Sequence, residues 1–507
     1  MKLWLTSDNV DWDAGRYRYA AEQMMLTLFP GERPEYPETP PPADLGGEKN
    51  AAVFTLRRGK KLASVSALVL RENGWHNGVS RFPSEKLDEG EALVYHTVQR
   101  ALKQAFYNAG RSLLGRDLPW GSLTGVRPTK LPTRALLAGA APAQAKQALE
   151  RTYHVSPLRA RLAVDCAGHS AAAKRSLRPD EVSLYVGIPF CPSRCAYCSF
   201  VSAAVDKCLP LVAPFVEGLC REIEALGGAL RDSGRSIRTV YIGGGTPTTL
   251  SARQLDDLLS AMEAQLPLAG CTEFTVEAGR PDTITADKLT VLACHGVGRV
   301  SVNPQSMNDA VLERMGRPHT GEDIRRAYRL ARGMGNFAIN LDLIAGLPGD
   351  SPEGFAASLR DVLDMGAENV TVHTLALKKG ARLMEDPQAL PSGEAVEKML
   401  DDAWDTLGQK GYGPYYLYRQ KYMSGSFENV GWAKPGFESL YNIAMMEELH
   451  TVLALGGGAV TKLVRPDTGK LERVVNPKYP QEYLRDIDKI CREKAALTPF
   501  LLETKGD

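Results

Sequence analysis

The sequence predicts an α/β fold: a partial (β/α)6 barrel, preceded by an N-terminal α+β module and followed by a C-terminal cap. From Ser183 onward, short apolar stretches typical of strands alternate with amphipathic stretches typical of helices. Strands that are separated by helices are expected to pair in parallel through helical crossovers. A loop with three cysteines follows the first of these strands, and the functional residues of such barrels lie at the carboxyl ends of the strands.

The N-terminal α+β module is predicted to comprise residues 1–115. Prolines between residues 30 and 42 exclude a regular helix or a central strand in that stretch. Residues 116–180 follow as an ordered loop that contains Trp and Pro, and then as a helical connector. The predicted strands of the module are Lys2–Thr6, Ala51–Leu56 and Leu62–Leu70, and its predicted helices are Ala14–Leu28 and Glu91–Ala109.

The barrel is predicted to comprise residues 181–380, and the C-terminal, substrate-side cap residues 381–507. The six predicted barrel strands are Leu184–Gly187, Thr239–Ile242, Glu273–Glu277, Arg299–Val302, Ala338–Leu343 and Asn369–His373. The helices predicted between them are Leu209–Leu230, Ser251–Gln265, Thr285–His295, Asp323–Arg332 and Pro352–Met365. A further charged surface helix is predicted at Pro480–Leu497.

The composition is that of an ordinary globular protein. Of the 507 residues, 44% are hydrophobic and 24% are charged, and the formal net charge is +1. This balance gives no indication of nucleic-acid binding. No apolar stretch approaches the roughly 20 residues that span a bilayer, and the N-terminus lacks the apolar core of a signal peptide. We therefore expect a cytoplasmic protein without a membrane span.

Cys191, Cys195 and Cys198 form a C-x3-C-x2-C motif, which lets one loop surround a single inorganic group with three thiolates. An iron–sulfur cube bound by three thiolates keeps one iron open for a ligand that reacts. The alternative is a structural zinc site, which needs a fourth protein ligand. The next candidate, Cys208, lies in a predicted helix. The six cysteines outside the motif are predicted to be buried small hydrophobes: Cys166, Cys208, Cys220, Cys271, Cys294 and Cys491.

Further polar or glycine-rich positions follow the other predicted strands. The segment Gly243-Gly-Gly-Thr-Pro follows the second strand, and glycines let a backbone approach a ligand closely. Glu277 ends the third strand, where its carboxylate is either solvated or accepts hydrogen bonds from the hydroxyl pair of a ribose. Gln305 and Arg317 lie in the fourth unit, and Asp342 interrupts an otherwise apolar fifth strand.

Together these residues resemble the radical S-adenosylmethionine (SAM) superfamily, and Tyr197 occupies the aromatic position before its last cysteine. Within that superfamily the chain resembles the oxygen-independent coproporphyrinogen III oxidase group. The likeness covers Ser183 to about Gly458. The N-terminal module, the loop around Trp120 and the segment Tyr415–Lys421 resemble the HemZ-type coproporphyrinogen dehydrogenase branch.

The resemblance implies two cofactors. The three cysteines of the motif would bind a 4Fe–4S cluster, whose fourth iron binds SAM through its amino and carboxylate groups. Gln305, Arg317 and Asp342 would bind the ribose and the carboxylate of SAM. The residues that would contact the amino group of SAM are Gly243, Gly244, Gly245 and Thr246.

The reaction that the resemblance implies is the oxidative decarboxylation of coproporphyrinogen III to protoporphyrinogen IX, with a one-electron donor such as flavodoxin or ferredoxin as partner. Tyr185 and Arg419 are the residues assigned to catalysis. Arg194 and Lys421 are further candidate cations for the substrate carboxylates. Five tyrosines between Tyr412 and Tyr422 suit a flat tetrapyrrole or, equally, a packed cap.

Two positions depart from the pattern of the group. Gly187 stands where its members carry a histidine, and Phe200 stands where they carry a further cysteine. These departures leave two alternatives open: a haem chaperone and a tetrapyrrole-directed radical SAM methyltransferase. His450, the only histidine after His373, is expected to be structural rather than a haem ligand.

Overall fold

A computed structural model of the chain describes residues 1–10, 13–42, 48–72, 74–198, 203–376, 383, 390–420 and 427–505. The chain divides into two compact units. The first is built mainly from Met1–Val164, and the second from Asp165–Ser424 and Glu428–Asp507. The four segments predicted from the sequence are a finer division, and their boundaries stay predictions.

The first unit contains four strands and four helices: β1 (Lys2–Asp8), α1 (Arg18–Leu28), β2 (Ala51–Arg58), β3 (Leu62–Arg71), β4 (Gly74–Pro83), α2 (Glu91–Leu114), α3 (Lys130–Leu137) and α4 (Pro142–Tyr153). The strands form one sheet in the order β1-β2-β3-β4, with β1 parallel to β2 and the other pairs antiparallel. Met24 of α1, Phe54 of β2 and Phe106 of α2 share one buried core.

Strand β4 has no counterpart among the predicted strands. Its sequence contains Gly74 and Gly78, and glycine is depleted in strands. A Cβ at Gly78 would lie only 2.1 Å from the carbonyl oxygen of Ala105 in α2. The glycine that weakens the strand pattern is therefore the residue that lets α2 approach the sheet.

The helix α5 (Pro157–Ser176) leads into the second unit. The later elements are β5 (Glu181–Ile188), β6 (Phe190–Cys191), β7 (Ala203–Ala204), α6 (Val205–Ser233), β8 (Ser236–Gly244), α7 (Ala252–Gln265), β9 (Glu273–Glu277), α8 (Ala286–Cys294), β10 (Arg299–Ser301), α9 (Asp309–Arg314), α10 (Gly321–Met334), β11 (Ala338–Ala345), α11 (Pro352–Met365), β12 (Asn369–Thr374), α12 (Gly393–Gln409), β13 (Gly413–Arg419), β14 (Glu428–Ala433), α13 (Leu440–Glu447), β15 (Val452–Gly456), β16 (Val460–Val464), β17 (Leu471–Val475), α14 (Pro480–Arg485), α15 (Ile487–Ala495) and α16 (Thr498–Glu503).

The main sheet of the second unit has eleven strands in the order β13-β14-β12-β11-β10-β9-β8-β5-β15-β16-β17. From β5 to β12 its neighbours pair in parallel, and a helix lies between successive strands in the chain. This is the predicted arrangement of the barrel strands, and it is confirmed. The carboxyl ends of these strands therefore meet at one edge, as the site prediction requires.

The C-terminal region contributes five strands to this same sheet, which the sequence does not predict. Strands β13 and β14 extend it in antiparallel fashion beyond β12. On the opposite side β15 pairs in parallel with β5, followed by the antiparallel strands β16 and β17. The strand before the cysteine loop is therefore flanked by β8 and by a strand from the far end of the chain.

Two local predictions need correction. The helix predicted over Pro480–Leu497 is two helices, α14 and α15, because the backbone at Asp486 leaves the helical conformation. Cys294 is exposed at the end of α8, and Cys220, Cys271 and Cys491 are only partly buried, whereas Cys166 and Cys208 are buried as predicted. Among the described residues, no helix is long and apolar enough to cross a membrane.

A buried polar network joins α6 to the C-terminal helices. The carboxylate of Glu222 accepts hydrogen bonds from Tyr483 Oη at 2.6 Å, Asn476 Nδ2 at 2.7 Å and the backbone N–H of Gly456 at 2.8 Å. The ammonium of Lys494 lies 3.4 Å from the same carboxylate. Because every partner is satisfied, the network fixes the end of β15 against α6.

Candidate active site

One cavity of about 490 Å³ opens at the carboxyl ends of the parallel strands, and we call it the barrel cavity. It is lined by most residues that the sequence analysis singles out: Tyr185, Cys191, Cys195, Cys198, Gly244, Gly245, Thr246, Glu277, Gln305, Arg317 and Asp342. They come from five successive β/α units. Their convergence follows from the parallel order of β5 to β11.

The cysteine loop leaves β5 and is held by short backbone contacts. Strand β6, which contains Cys191, pairs with β7. Cys191 Sγ lies 3.5 Å from Thr246 Oγ1, and the N–H of Cys198 donates to the carbonyl of Cys195 at 3.2 Å. None of the three thiols is in a disulfide bond. Among the described residues, no three His, Cys, Asp or Glu side chains are arranged to hold a single metal ion.

Two buried arginines approach the sulfur of Cys195. Nη1 of Arg317 lies 3.7 Å from this sulfur, and Nη1 of Arg280 lies 3.8 Å from it. The pKa of nearby His319 is lowered to about 4, because the ring is buried and faces both guanidinium groups. Neighbouring cations favour thiolates, the form in which cysteine binds metals. The three motif cysteines, with two guanidinium groups beside Cys195, therefore fit an inorganic group held by thiolates.

The glycine segment packs against the backbone of the cysteine loop. The N–H of Gly245 donates to the carbonyl of Ile188 at 2.8 Å, and a Cβ at Gly245 would lie 2.4 Å from the carbonyl oxygen of Phe190. Gly244 has φ +109°, a conformation that favours glycine. Gly243 does not line the cavity, but a Cβ there would lie 3.0 Å from the carboxyl carbon of Glu277.

Glu277 and Asp342 are two carboxylates with opposite pKa shifts. The pKa of Glu277 is raised to about 7, because the carboxylate is buried and lies near the negative charge of Asp342. Its Oε1 accepts a hydrogen bond from Tyr241 Oη at 2.7 Å. Burial would also raise the pKa of Asp342, but His373 at 3.7 Å and Asn340 at 2.7 Å hold it below its ordinary value. Asp342 is therefore the better acceptor for a hydroxyl pair.

Gln305 is one of the few non-glycine residues with a left-handed backbone, at φ +68°. Two hydrogen bonds hold this conformation: its N–H donates to the carbonyl of Asp342 at 2.8 Å, and its carbonyl accepts from the N–H of Ile344 at 2.9 Å. Backbone strain of this kind persists only where the surroundings enforce it, and it is concentrated at functional sites. It directs the side chain of Gln305 into the barrel cavity.

Helix α13 adds a wall that the sequence does not predict. Tyr441, Asn442, Met445 and Met446 of this helix line the barrel cavity, with Tyr416, Tyr418 and Gln420 from β13 and the residue after it. The ring of Tyr441 stacks on that of Tyr241 with a centroid distance of 4.6 Å. Its hydroxyl is buried and has no hydrogen-bond partner within the described residues. The wall is therefore rich in aromatic rings, and the hydroxyl of Tyr441 is a buried polar group available to a ligand.

The predicted cations lie in different places. Arg194 lines the barrel cavity. Arg419 does not: it is buried beside Glu428, and strand alternation turns it away from the cavity-facing Tyr416 and Tyr418. Arg419 is therefore not a candidate for contact with a ligand in this cavity. Lys421 and Phe200 lie outside the described residues.

Steric crowding explains why position 187 is a glycine. Gly187 pairs with Gly456 across β5 and β15, and a Cβ at position 187 would lie 2.8 Å from the carbonyl oxygen of Gly457. The space for a side chain at this position is thus occupied by backbone from the C-terminal region. His450 lies outside the cavity lining and bonds Ser183 Oγ at 2.8 Å, as expected for a structural residue.

Sequence reasoning missed Arg280, His373 and Tyr441 in the cavity lining. Arg280 follows β9 by three residues, and His373 faces inward near the end of β12. Placement at the end of a predicted strand was a signal for both. Tyr441 gave no such signal, because its position depends on the packing of α13 against β8 and β13.

Comparison with known proteins places these residues in context. A family model described as the radical SAM superfamily matches residues 185–362. The chain is 39% identical over 420 residues to the "oxygen-independent coproporphyrinogen-III oxidase-like protein HemZ" of Bacillus subtilis (strain 168), across 82% of this chain and 83% of that protein. It is 31% identical over 304 residues to the heme chaperone HemW of Escherichia coli (strain K12), across 60% of this chain and 76% of that protein.

Among solved structures, coproporphyrinogen III oxidase (HemN) from Escherichia coli matches with a TM-score of 0.51 and 23% identity. The match covers 66% of this chain and 78% of that chain. At this identity the likeness shows the fold alone, a radical SAM α/β barrel with additional elements.

Proposed function

Since this chain belongs to the radical SAM superfamily, within the group of oxygen-independent coproporphyrinogen III oxidase-like proteins, we propose that it oxidatively decarboxylates coproporphyrinogen III to protoporphyrinogen IX. One observation carries the proposal. The three motif cysteines and nearly all candidate SAM contacts line a single cavity, whose remaining wall is rich in tyrosine. Such a wall suits stacking against a flat tetrapyrrole.

The superfamily uses SAM and an iron–sulfur cluster, and we assign a 4Fe–4S cluster to Cys191, Cys195 and Cys198. The three motif cysteines line one cavity, none of them is in a disulfide bond, and the sulfur of Cys195 lies next to two buried guanidinium groups; these observations support the assignment. When bound and reduced, this cofactor would supply one electron for cleavage of SAM to methionine and a 5′-deoxyadenosyl radical. That radical would take hydrogen from a propionate side chain, and loss of carbon dioxide and of one electron to an acceptor would leave a vinyl group.

The residues of the chain hold SAM and keep water away from it. In the glycine segment, Gly244, Gly245 and Thr246 line the cavity and offer backbone to the amino group of SAM, and Gly243 packs behind them against Glu277. Asp342 and Glu277 are the acceptors for its ribose hydroxyls, together with Gln305. Arg317 is the cation for its carboxylate, and its guanidinium is already fixed by the carbonyl oxygens of Gly279 and Asn303 at 3.0 and 2.6 Å.

On the substrate side, the rings of Tyr416, Tyr418 and Tyr441 provide stacking surface, and Arg194 is the candidate cation for a propionate. Tyr185 is half-buried, lines the barrel cavity and stacks on Tyr241 with a centroid distance of 6.4 Å. We assign Tyr185 to the orientation of the reacting groups, because a fixed ring on β5 limits their movement. The electron donor that we propose is a flavodoxin or a ferredoxin.

A haem chaperone is the second candidate, because the chain is also 31% identical to HemW of Escherichia coli. Haem carriage needs an axial ligand such as His, Cys or Met. His450 is engaged with Ser183, and the sulfur of Met445 lies 2.9 Å from the ammonium of Lys462. His450 and Met445 are thus engaged, whereas His373 and Met446 also line the cavity, and the assay below decides between the decarboxylase and the chaperone. A tetrapyrrole-directed methyltransferase is a third outcome of the same test.

One anaerobic assay separates the three functions. Reconstituted protein receives reductant, SAM and coproporphyrinogen III, products are analysed by mass, and haem binding is measured in parallel. The decarboxylase predicts loss of carbon dioxide together with 5′-deoxyadenosine. Methylated tetrapyrrole identifies the methyltransferase, and bound haem without SAM cleavage identifies the chaperone. A variant with all three motif cysteines replaced by alanine is the control.

A further inference from the structure

Arg280 occupies a position that the proposed function does not use. It lies three residues beyond the end of β9, is only 3% exposed, and lines the barrel cavity. Nη1 lies 3.8 Å from Cys195 Sγ, and Nη2 donates to Ser193 Oγ at 3.1 Å. The guanidinium therefore contacts a motif cysteine and a second residue of the same loop.

The backbone at Arg280 is fixed on its C-terminal side. Pro281 follows it and begins a short 3-10 turn, and the carbonyl of Arg280 accepts from both the N–H and the hydroxyl of Thr283, the latter at 2.8 Å. Nε donates to Asp282 Oδ1 at 3.2 Å, which orients the plane of the guanidinium. Nη1 and Nη2 then point toward Cys195 and Ser193 of the cysteine loop.

We propose that Arg280 is a positioning residue for the cluster: it donates to the sulfur of Cys195 and stabilises the reduced state of the cluster electrostatically. The inference rests on the proposed function, since it requires a cluster at Cys191, Cys195 and Cys198. Reduction adds one negative charge to a group that already carries thiolates. Hydrogen bonds to the sulfurs and nearby charge are what set the potential of such a cluster, and a buried cation acts strongly there.

Arg280 can be tested apart from SAM binding, whereas Arg317 cannot. Arg317 also reaches Cys195, but it is the residue that we assign to the SAM carboxylate. A change in Arg317 would therefore alter two properties together. Arg280 contacts Cys195 and Ser193 of the cysteine loop and Asp282 of its own turn, and it has no assigned contact with SAM, so its substitution reports on the cluster.

The experiment uses the full chain with three substitutions. Arg280→Gln removes the charge and keeps an amide donor, whereas Arg280→Lys keeps the charge without the planar fork. Arg253→Gln is the control, because this arginine is 92% exposed on α7. After anaerobic reconstitution, iron and sulfide are counted, and the midpoint potential is measured by a redox titration followed by electron paramagnetic resonance.

We expect full iron content in every variant, a more negative midpoint potential in Arg280→Gln, a smaller shift in Arg280→Lys and none in Arg253→Gln. If iron is lost in Arg280→Gln alone, the potential of Arg280→Lys decides the test: a shift to a more negative value supports the inference and an unchanged value overturns it. A potential unchanged in Arg280→Gln overturns the inference, and so does loss of iron from both Arg280 variants, which would indicate a purely structural role. Wild-type protein that holds no iron instead overturns the proposed function.

Discussion

Tyr441 contributes a polar group to the barrel cavity that the protein itself leaves unpaired. Its side chain is 3% exposed, and within the described residues its hydroxyl has no hydrogen-bond partner. Burying an unpaired hydroxyl costs stability, so a residue of this kind is expected to bond a ligand.

Tyr441→Phe should leave the thermal unfolding temperature of the protein unchanged or raise it, because the substitution removes only the unpaired hydroxyl. It should weaken binding of the tetrapyrrole by about 2- to 12-fold, the equivalent of one hydrogen bond of about 0.5–1.5 kcal/mol. The measurement is a titration of reconstituted enzyme with coproporphyrinogen III. Tyr328→Phe is the matched control, since its hydroxyl accepts from Arg332 on α10, outside the cavity lining. Equal affinity for both variants would contradict a ligand contact at Tyr441.

Glu277 should make stability depend on pH. Burial raises the pKa of Glu277 from 4.5 to about 7. The pKa of Glu277 is higher in the folded protein than in the unfolded chain. The contribution of Glu277 to the free energy of unfolding is therefore fully present below pH 4.5 and is lost as the pH rises through about 7.

Glu277→Gln removes this titration, so the variant should gain stability relative to wild type between pH 5 and pH 8. The gain is at most ~3 kcal/mol, at ~1.4 kcal/mol per pKa unit. Thermal unfolding at both pH values measures it, with the exposed Glu353→Gln as control. A pH profile of Glu277→Gln that matches wild type would show that the carboxylate is solvated.

The residues of the site were predictable to different degrees. Glu277 and Asp342 stand out because each places a carboxylate on a short apolar strand, and the barrel order then brings them together. Arg419 looked equally suitable in the sequence, next to several tyrosines. Only the strand alternation seen in the structure turns it away from the cavity. The side a residue faces depends on register, which local sequence does not specify.

At the scale of elements, the pairing of β5 with β15 sets the shape of the cysteine-loop region. Gly187 and Gly456 face each other in this pair, and Gly456 has φ +89°. A Cβ at Gly456 would lie 2.2 Å from the carbonyl oxygen of Gly187. The backbone of the neighbouring strand therefore leaves no space for a side chain at position 187 or at position 456.

Gly456→Ala should destabilise the protein by at least ~1–3 kcal/mol from backbone conformation alone, with a further cost for the steric clash. Thermal unfolding measures this effect. Gly228→Ala is the control: Gly228 lies within α6, and a Cβ there meets nothing within 4 Å. Alanine at that helical position should stabilise by roughly 0.5–1 kcal/mol. Similar unfolding temperatures for the two variants would contradict the close approach of β5 and β15.

The barrel elements were predictable because each strand is a short apolar stretch and each helix shows the spacing of apolar residues typical of an amphipathic helix. The bounds of β9 and α11 agree with the prediction, and those of the other barrel strands differ by a few residues at the ends. Strands β13 to β17 were not predicted. Val452–Gly456 runs into a stretch of glycines and lies outside the strand–helix alternation of the barrel, and it pairs with β5, which is distant in the sequence.

At the scale of the whole molecule, the two ends of the second unit meet at the cysteine loop. The loop leaves β5, β15 lies beside that strand, and the Glu222 network anchors the end of β15 to α6. The C-terminal region thus supplies both a wall of the barrel cavity and the support behind the cysteine strand. This arrangement explains how a chain with Gly187 keeps an ordered site.

The central claim is that the barrel cavity directs a SAM-derived radical to a propionate of coproporphyrinogen III. The most direct measurement supplies coproporphyrinogen III deuterated on its propionate side chains to the reconstituted enzyme, with SAM and reductant, and analyses 5′-deoxyadenosine by mass. Our account predicts 5′-deoxyadenosine that carries deuterium from the substrate, with loss of carbon dioxide. Unlabelled 5′-deoxyadenosine together with intact coproporphyrinogen III would contradict it.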